Sequence, residues 1–335
     1  MTSLIVVHPK FDGVWPFAAD VLYACWLSEG PVEFLRLAPD ETRPLGDVAP
    51  NPAEVKRMVV LGVPVTENCV EKFTALEEVA CQEAYRESAG ELFVAKGVTV
   101  YRQNSEGFWG QSVSEYALAL TLCGLRRIPQ MHHRILTDLS PWDYEPADGI
   151  GLAGQRGQQY GDDSRFTNGT VAGKRVRIVG AGNIGSRYAS FVAMLGADVA
   201  VWDPFAAEPA FHRAGSRREF HLERLVQDAE IFVPMVPLMD STRWLVTAEH
   251  IRALPTGCLV VLATRANICD MPTLRERVLA DELSLAADVF DVEPLALGDP
   301  LLGRENVVHS PHNAGRTIHA NERWAAALAD QFRPV

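Results

Sequence analysis

The chain has 335 residues, 47% of them hydrophobic, with 31 basic against 43 acidic side chains and a formal net charge of −12. That length fits two domains of ordinary size, and the acidic balance argues against a nucleic-acid surface or an anionic membrane as partner. Cys25, Cys69, Cys81, Cys123, Cys258 and Cys269 form no CxxC pair and no metal-ligand spacing, and neither a leader segment nor a run of about 18 apolar residues is visible, so a soluble, cytoplasmic protein with reduced thiols and no metal is expected.

In chain order, short apolar strands are expected over 4–7 and 58–61, an amphipathic segment over 71–86 and a further strand over 98–101, which is the alternation of a small α/β unit. The character then changes. The stretch 112–127, SVSEYALALTLCGLRR, reads as a long helix opening with a Ser112–Glu115 capping box, and its middle is apolar on every side, which predicts a buried helix running between domains. Gly149, Gly151, Gly154, Gly157, Gly161 and Gly169 among polar neighbours mark 144–170 as a long surface loop. Beyond it, strands over 173–179, 199–202, 231–236, 259–263 and 285–289 alternate with turn or helix signals, so 113–312 is predicted to be a doubly wound parallel sheet.

The first crossover of that sheet, RVRIVGAGNIGSRYASFVAMLGADVAVWDP from Arg175 to Pro204, carries a dinucleotide fingerprint. Gly180 permits the tight strand-to-helix turn, Gly182 lets the backbone approach a pyrophosphate, and Gly185 lets the helix pack on the strand. Asp203 closes the next strand at about the 20-residue offset of the acid that binds the adenosine ribose hydroxyls. Its charge would repel a 2′-phosphate, so NAD is expected over NADP, although Arg213, Arg217 and Arg218 stand near in sequence.

Three residues just past later strands supply chemistry. Arg265 follows LVVLAT, Glu293 follows AADVFDV, and His312 sits in SPHNAG. Ligands of open parallel sheets bind outside the carboxyl ends of the strands, so the three can converge beside a nicotinamide. Reduction of a 2-keto acid needs a proton donor at the carbonyl oxygen, a cation for the carboxylate and a group that stabilises the protonated donor. His312, Arg265 and Glu293 fill those roles in that order. His309 is the competing histidine but lies in the expected strand VVHS; His132 and His133 read as surface residues. His8 ends the first strand, and Trp109 precedes the long helix.

On these residues the chain resembles the D-2-hydroxyacid dehydrogenase family, which includes D-lactate, glycerate and phosphoglycerate dehydrogenases. The matching stretches run from about Ser112 to Thr317: SVSEYALALTLCGLRRIP, VAGKRVRIVGAGNIG, VPLMDSTRWLV, ATRANICD, AADVFDVEPL and SPHNAGRT. The resemblance implies a catalytic Arg265, Glu293 and His312. It also implies an NAD site that adds Asn183, Ile184, Pro237, Thr242, Ala263 and Asp288 to Gly180, Gly182, Gly185 and Asp203. The implied architecture is a Rossmann NAD domain over 113–315 and a smaller, discontinuous flavodoxin-like substrate domain over 1–112 and 316–335, in a homodimer.

Departures from the family pattern fall on substrate recognition. Where the family usually presents a glycine-rich loop for the substrate carboxylate, this chain reads CQEAYRES from Cys81 to Ser88, so Tyr85 and Arg86, with Trp109, become candidate substrate contacts. The glycine after the family's arginine is Ala266. The expectation is an NAD-dependent oxidoreductase acting on a small 2-keto or 2-hydroxy acid. The alternative is an NAD(H)-sensing binding protein of the corepressor type. A Rossmann-fold methyltransferase would leave Arg265, Glu293 and His312 without a shared purpose.

Overall fold

Runs of Val, Ile, Leu and Ala too short for helices build two parallel sheets in the computed structural model, which describes residues 2–83, 90–103, 106–144, 155–156 and 161–334. The chain divides into two compact units, Met1–Trp109 with Gly315–Val335, and Gly110–Ala314.

The first unit holds β1 (Thr2–Val7), β2 (Val32–Arg36), β3 (Val55–Leu61), β4 (Glu78–Gln82) and β5 (Thr99–Tyr101) in the order β2-β1-β3-β4-β5, every pair parallel. This is the flavodoxin-like order. Leu4, Ile5, Val6 and Val7 are all fully buried, because a parallel sheet is covered on both faces and its central strands read as continuous apolar runs rather than alternating ones. The last helix, Ile318–Ala329, packs on helix Ala18–Glu29 and completes one of those faces: Trp324 lies 5.3 Å from Trp15 and 5.5 Å from Phe11, ring to ring. The chain's return to this unit is therefore part of its core.

Two local expectations are corrected here. The amphipathic segment 71–86 contains β4, whose five residues are all buried between β3 and β5. Phe73, Leu76 and Val79 are spaced as on a helix face, but the vacancy between two strands outweighs that local period. The long helix runs Glu106–Arg126 and so begins before Ser112, which leaves the Ser112–Glu115 pair inside it. There Glu115 accepts a hydrogen bond from the Gln111 side chain, and Ser114 bonds back to the Gly110 carbonyl at 2.6 Å. The helix is also one-sided: Ala117, Leu120 and Leu125 are buried, whereas Glu115, Ala119 and Leu122 are exposed.

The second unit carries the antiparallel pair β6 (Asp143–Tyr144) and β7 (Gln155–Arg156) inside the stretch expected to be loop, with 145–154 and 157–160 outside the described residues. Its main sheet comprises β8 (Arg175–Val179), β9 (Asp198–Trp202), β10 (Arg217–Glu219), β11 (Ile231–Pro234), β12 (Leu259–Leu262), β13 (Ser284–Ala287) and β14 (Val307–His309). The order is β10-β9-β8-β11-β12-β13-β14, all parallel, which is the Rossmann order extended by one strand. The order reverses at β8, so the crevice where such sheets bind ligands opens between β8 and β11. Gly124 lets the long helix lie against the sheet, since a Cβ there would come within 2.8 Å of Leu259.

Candidate active site

The turn after β8 is built as the glycine fingerprint requires. Gly180 has φ +104°, a left-handed value that favours glycine, and a Cβ there would fall 2.9 Å from the Met235 carbonyl at the end of β11. A Cβ on Gly185 would sit 2.1 Å from the Gly180 carbonyl, so that glycine is what lets helix Asn183–Met194 close on the strand. Gly182, the residue that caps this helix, is different: a Cβ there would meet nothing within 4 Å. The space beside its backbone, in front of the first-turn amides of Asn183, Ile184 and Gly185, fits a pyrophosphate.

Asp203 ends β9 beside this turn. Its Oδ2 accepts the Ala181 amide at 2.7 Å, and its Oδ1 accepts the amides of Phe205 and Ala206 at 2.9 and 3.0 Å. The carboxylate thus ties the glycine turn to the strand where a ribose would lie. Of the nearby arginines, Arg218 pairs with Glu208 at 3.6 Å between the rings of Phe211 and Phe220, and Arg217 pairs with Glu219 at 3.3 Å. Both are engaged by their own neighbours rather than turned on Asp203.

Of the other residues expected at the cofactor, Thr242 and Asp288 each hold a loop. Thr242 donates to the Pro237 carbonyl at 2.6 Å and accepts the Met239 amide at 2.8 Å, closing the turn after β11. Ala263 is buried just past β12. Asp288, fully buried just past β13, accepts the Ser310 hydroxyl at 2.7 Å, the Asn313 amide at 3.1 Å and the Ala314 amide at 2.9 Å. These three bonds flank His312, whose own φ is +53°. Asp288 is therefore a clamp on the loop that presents the histidine.

His312 and Glu293 meet directly. The Nδ1 of His312 lies 2.6 Å from Glu293 Oε2, with both side chains one-third exposed (33%), and Glu293 Oε1 accepts the Phe290 amide at 2.8 Å. Both carboxylate oxygens are thus held, and the histidine's Nε2 is the ring atom left to face a reactant. Arg265 stands past β12 with its Nη1 donating to the Thr264 carbonyl at 2.7 Å. Arg265, Glu293 and His312 line one cavity of about 220 Å³, together with Leu238, Asn267, Phe290 and Asp291. A cation, a proton-transfer group and the acid that steadies it open on one small space at the carboxyl edge of the sheet, the constellation that carbonyl reduction requires.

Of the competing histidines in the Gly110–Ala314 unit, none lines this cavity. His309 ends β14 with an exposed side chain, and His132 and His133 are exposed on helix Ile128–Arg134. His8 is buried and caps the short helix Pro9–Asp12 by accepting the Lys10 amide at 3.0 Å, which gives it a structural task. Trp109 stacks on Trp15 with ring centroids 4.6 Å apart and planes 13° apart. Tyr85 and Arg86 lie outside the described residues. Sequence reasoning missed Asp291 and Asn267 in the cavity wall and Ser310 under Asp288; only their closeness to Glu293, Arg265 and His312 along the chain marked them.

Residues 150–314 match the model of the D-isomer specific 2-hydroxyacid dehydrogenase, NAD binding domain. The chain is similar to D-3-phosphoglycerate dehydrogenase of Methanocaldococcus jannaschii, 25% identical over 276 residues, which cover 82% of this chain and 48% of that protein. The chain thus spans about half the length of that relative. It is 26% identical to hydroxypyruvate reductase of Thermotoga maritima over 71% of this chain and 70% of that one. Its fold matches that of D-lactate dehydrogenase from Aquifex aeolicus, solved with NAD and lactic acid, with a TM-score of 0.61 at 18% identity over 98% of this chain and 93% of that one.

Proposed function

We propose that the chain is a member of the D-isomer specific 2-hydroxyacid dehydrogenase family and that it transfers a hydride between NAD(H) and a small 2-keto or 2-hydroxy acid. The observation that carries this reading is the 2.6 Å contact of His312 with Glu293 on the same cavity as Arg265. NAD, when bound, supplies or accepts the hydride. Gly180, Gly182, Gly185 and the first turn of helix Asn183–Met194 hold its pyrophosphate, and Asp203 its adenosine ribose. In the reducing direction protonated His312 donates its Nε2 proton to the substrate's carbonyl oxygen, and Glu293 stabilises the imidazolium before the transfer and fixes the ring's orientation throughout. Arg265 supplies the positive charge that orients the substrate carboxylate and offsets the negative charge growing on the carbonyl oxygen.

No helix among the described residues is long and apolar enough to cross a membrane, and none of the His, Cys, Asp and Glu side chains described group as a metal site. We place the protein in the cytoplasm because all six cysteines are free and four are buried, with burial pushing the Cys81, Cys258 and Cys269 thiols up. We further propose a homodimer, for which exposed Ile128, Ile135, Leu136, Leu139 and Trp142 supply apolar surface on the Gly110–Ala314 unit. Light scattering of the purified chain should give twice its mass. The test of function is a panel of 2-keto acids screened for NADH oxidation. Turnover of at least one member is expected; firm NADH binding with no turnover of any would favour the sensing alternative.

A further inference from the structure

We infer that Arg275, outside the cavity, is a positioning residue that holds the loop carrying Glu293 by bridging Asp291 and Asp299. The inference rests on the hydride-transfer reading and extends it to the support beneath the acid. Between Ala287 and Val307 the chain has no helix or strand, and Glu293 sits near the start of that stretch, flanked by the exposed Val292. Val289, Phe290 and Leu301 anchor its ends in the core, but no residue from 291 to 300 is buried, so packing alone gives the part that carries Glu293 little rigidity. Arg275 rises from helix Met271–Leu279, with its Nη2 2.6 Å from Asp299 Oδ2 and its Nη1 3.5 Å from Asp291 Oδ1. One guanidinium therefore grips the loop on both sides of Glu293.

Three features separate this bridge from an ordinary surface ion pair. The side chains are mostly shielded, at 20% exposure for Arg275 and 13% for Asp299, so solvent screening is reduced. Asp299 is fixed in turn, its Oδ1 accepting the Leu301 amide at 2.9 Å. Asp291 itself lines the cavity, one step from the residue preceding Glu293. A guanidinium is planar and forked, so it sets the spacing of two carboxylates in a way that an ammonium on a flexible stem does not. The distance at stake is the 2.6 Å between Glu293 and His312, and a misplacement of about 1 Å in such a contact can cost roughly 100-fold in rate.

The test is a double-mutant cycle on the full chain, with kinetics on the 2-keto acid found active and NADH affinity measured by fluorescence. Arg275→Met should lower kcat about tenfold or more with NADH affinity unchanged within about twofold, and Arg275→Lys should recover only part of the loss. In a Glu293→Gln background the same Arg275→Met change should cost less than about threefold, because the group it positions has already lost its charge. Full activity of Arg275→Met, or an undiminished loss in the Glu293→Gln background, would overturn the inference. Should Arg275→Met not fold, Arg275→Lys takes its place in the cycle with the same pattern expected. A readout independent of turnover is the NMR chemical shift of the His312 ring resonances at one fixed pH, which should change in Arg275→Met in the same direction as in Glu293→Gln because the 2.6 Å contact at Nδ1 is disturbed in both. Wild type without turnover on any 2-keto acid would remove the proposed function, while those resonances would still decide the bridge: unchanged His312 resonances in Arg275→Met overturn it.

Discussion

Replacing Asp288 by Asn separates a clamp from a cofactor ligand. The native carboxylate accepts three hydrogen bonds, two on Oδ1 from Ser310 and Asn313 and one on Oδ2 from Ala314, while fully buried. An Asn of the same shape can keep Oδ1 in place only by turning its NH2 on the Ala314 amide, and the flipped orientation turns it on the Asn313 amide. Either way at least one buried N–H loses its acceptor, at about 1–3 kcal/mol, and the remaining bonds lose their charge assistance. A total of about 2–4 kcal/mol is expected, a large part of the roughly 5–15 kcal/mol typical of a domain. Urea denaturation followed by circular dichroism should show it as a lower midpoint, and kcat should fall about tenfold or more because the loop presenting His312 loosens. NADH affinity should hold within about twofold. If Asp288→Asn kept its midpoint and instead lost NADH affinity tenfold, the carboxylate would belong to the cofactor and the clamp would be wrong.

Further expectations follow from other residues. NADH should bind at least about tenfold more tightly than NADPH, a difference of about 1.4 kcal/mol, because Asp203 meets the added phosphate with like charge; titration of both cofactors checks it. His312→Gln should lose at least about 100-fold in kcat while His309→Gln keeps normal turnover, and the reverse pattern would move the acid to His309. The hydrogen bond from buried Arg177, at 2.6 Å, holds the Asp228 carboxyl below its ordinary range. A carboxyl depressed on folding contributes stability above its unfolded value, near ~3.9, and loses it as pH falls through the lower folded value. Asp228→Asn should therefore be less stable than wild type at neutral pH, with the gap closing in acid below about pH 4. Equal stability at all pH values would deny Asp228 that role.

What was legible in the sequence was whatever the backbone imposes locally. Buried parallel strands such as Leu259–Leu262 leave apolar runs of strand length, Gly180 and Gly185 mark positions where a side chain would collide, and Gly182 marks one where the space beside the backbone stays open. Arg265, Glu293 and His312 could be placed at strand ends because βαβ order dictates which edge they reach. Two of the four edge strands of the parallel sheets were harder. β2 and β10 were not anticipated, since an edge strand is only half covered and sequences such as Arg217–Glu219 carry no apolar pattern. The long helix was started too late because a Ser-x-x-Glu pair has the same spacing inside a helix as at its cap. Links such as Arg275 with Asp299, 24 residues apart, depend on where two elements come to lie and leave no periodic trace.

The central claim is hydride transfer to a 2-keto carbon with His312 as acid, and isotope tracing tests it most directly. NADH bearing deuterium at the transferable C4 position should be incubated with wild type and each 2-keto acid of the panel, and the products analysed by mass spectrometry and NMR. The account predicts a 2-hydroxy acid carrying deuterium at C2, formed at least about 100-fold more slowly by His312→Gln. Firm binding of NADH with no deuterated hydroxy acid from any 2-keto acid would contradict it.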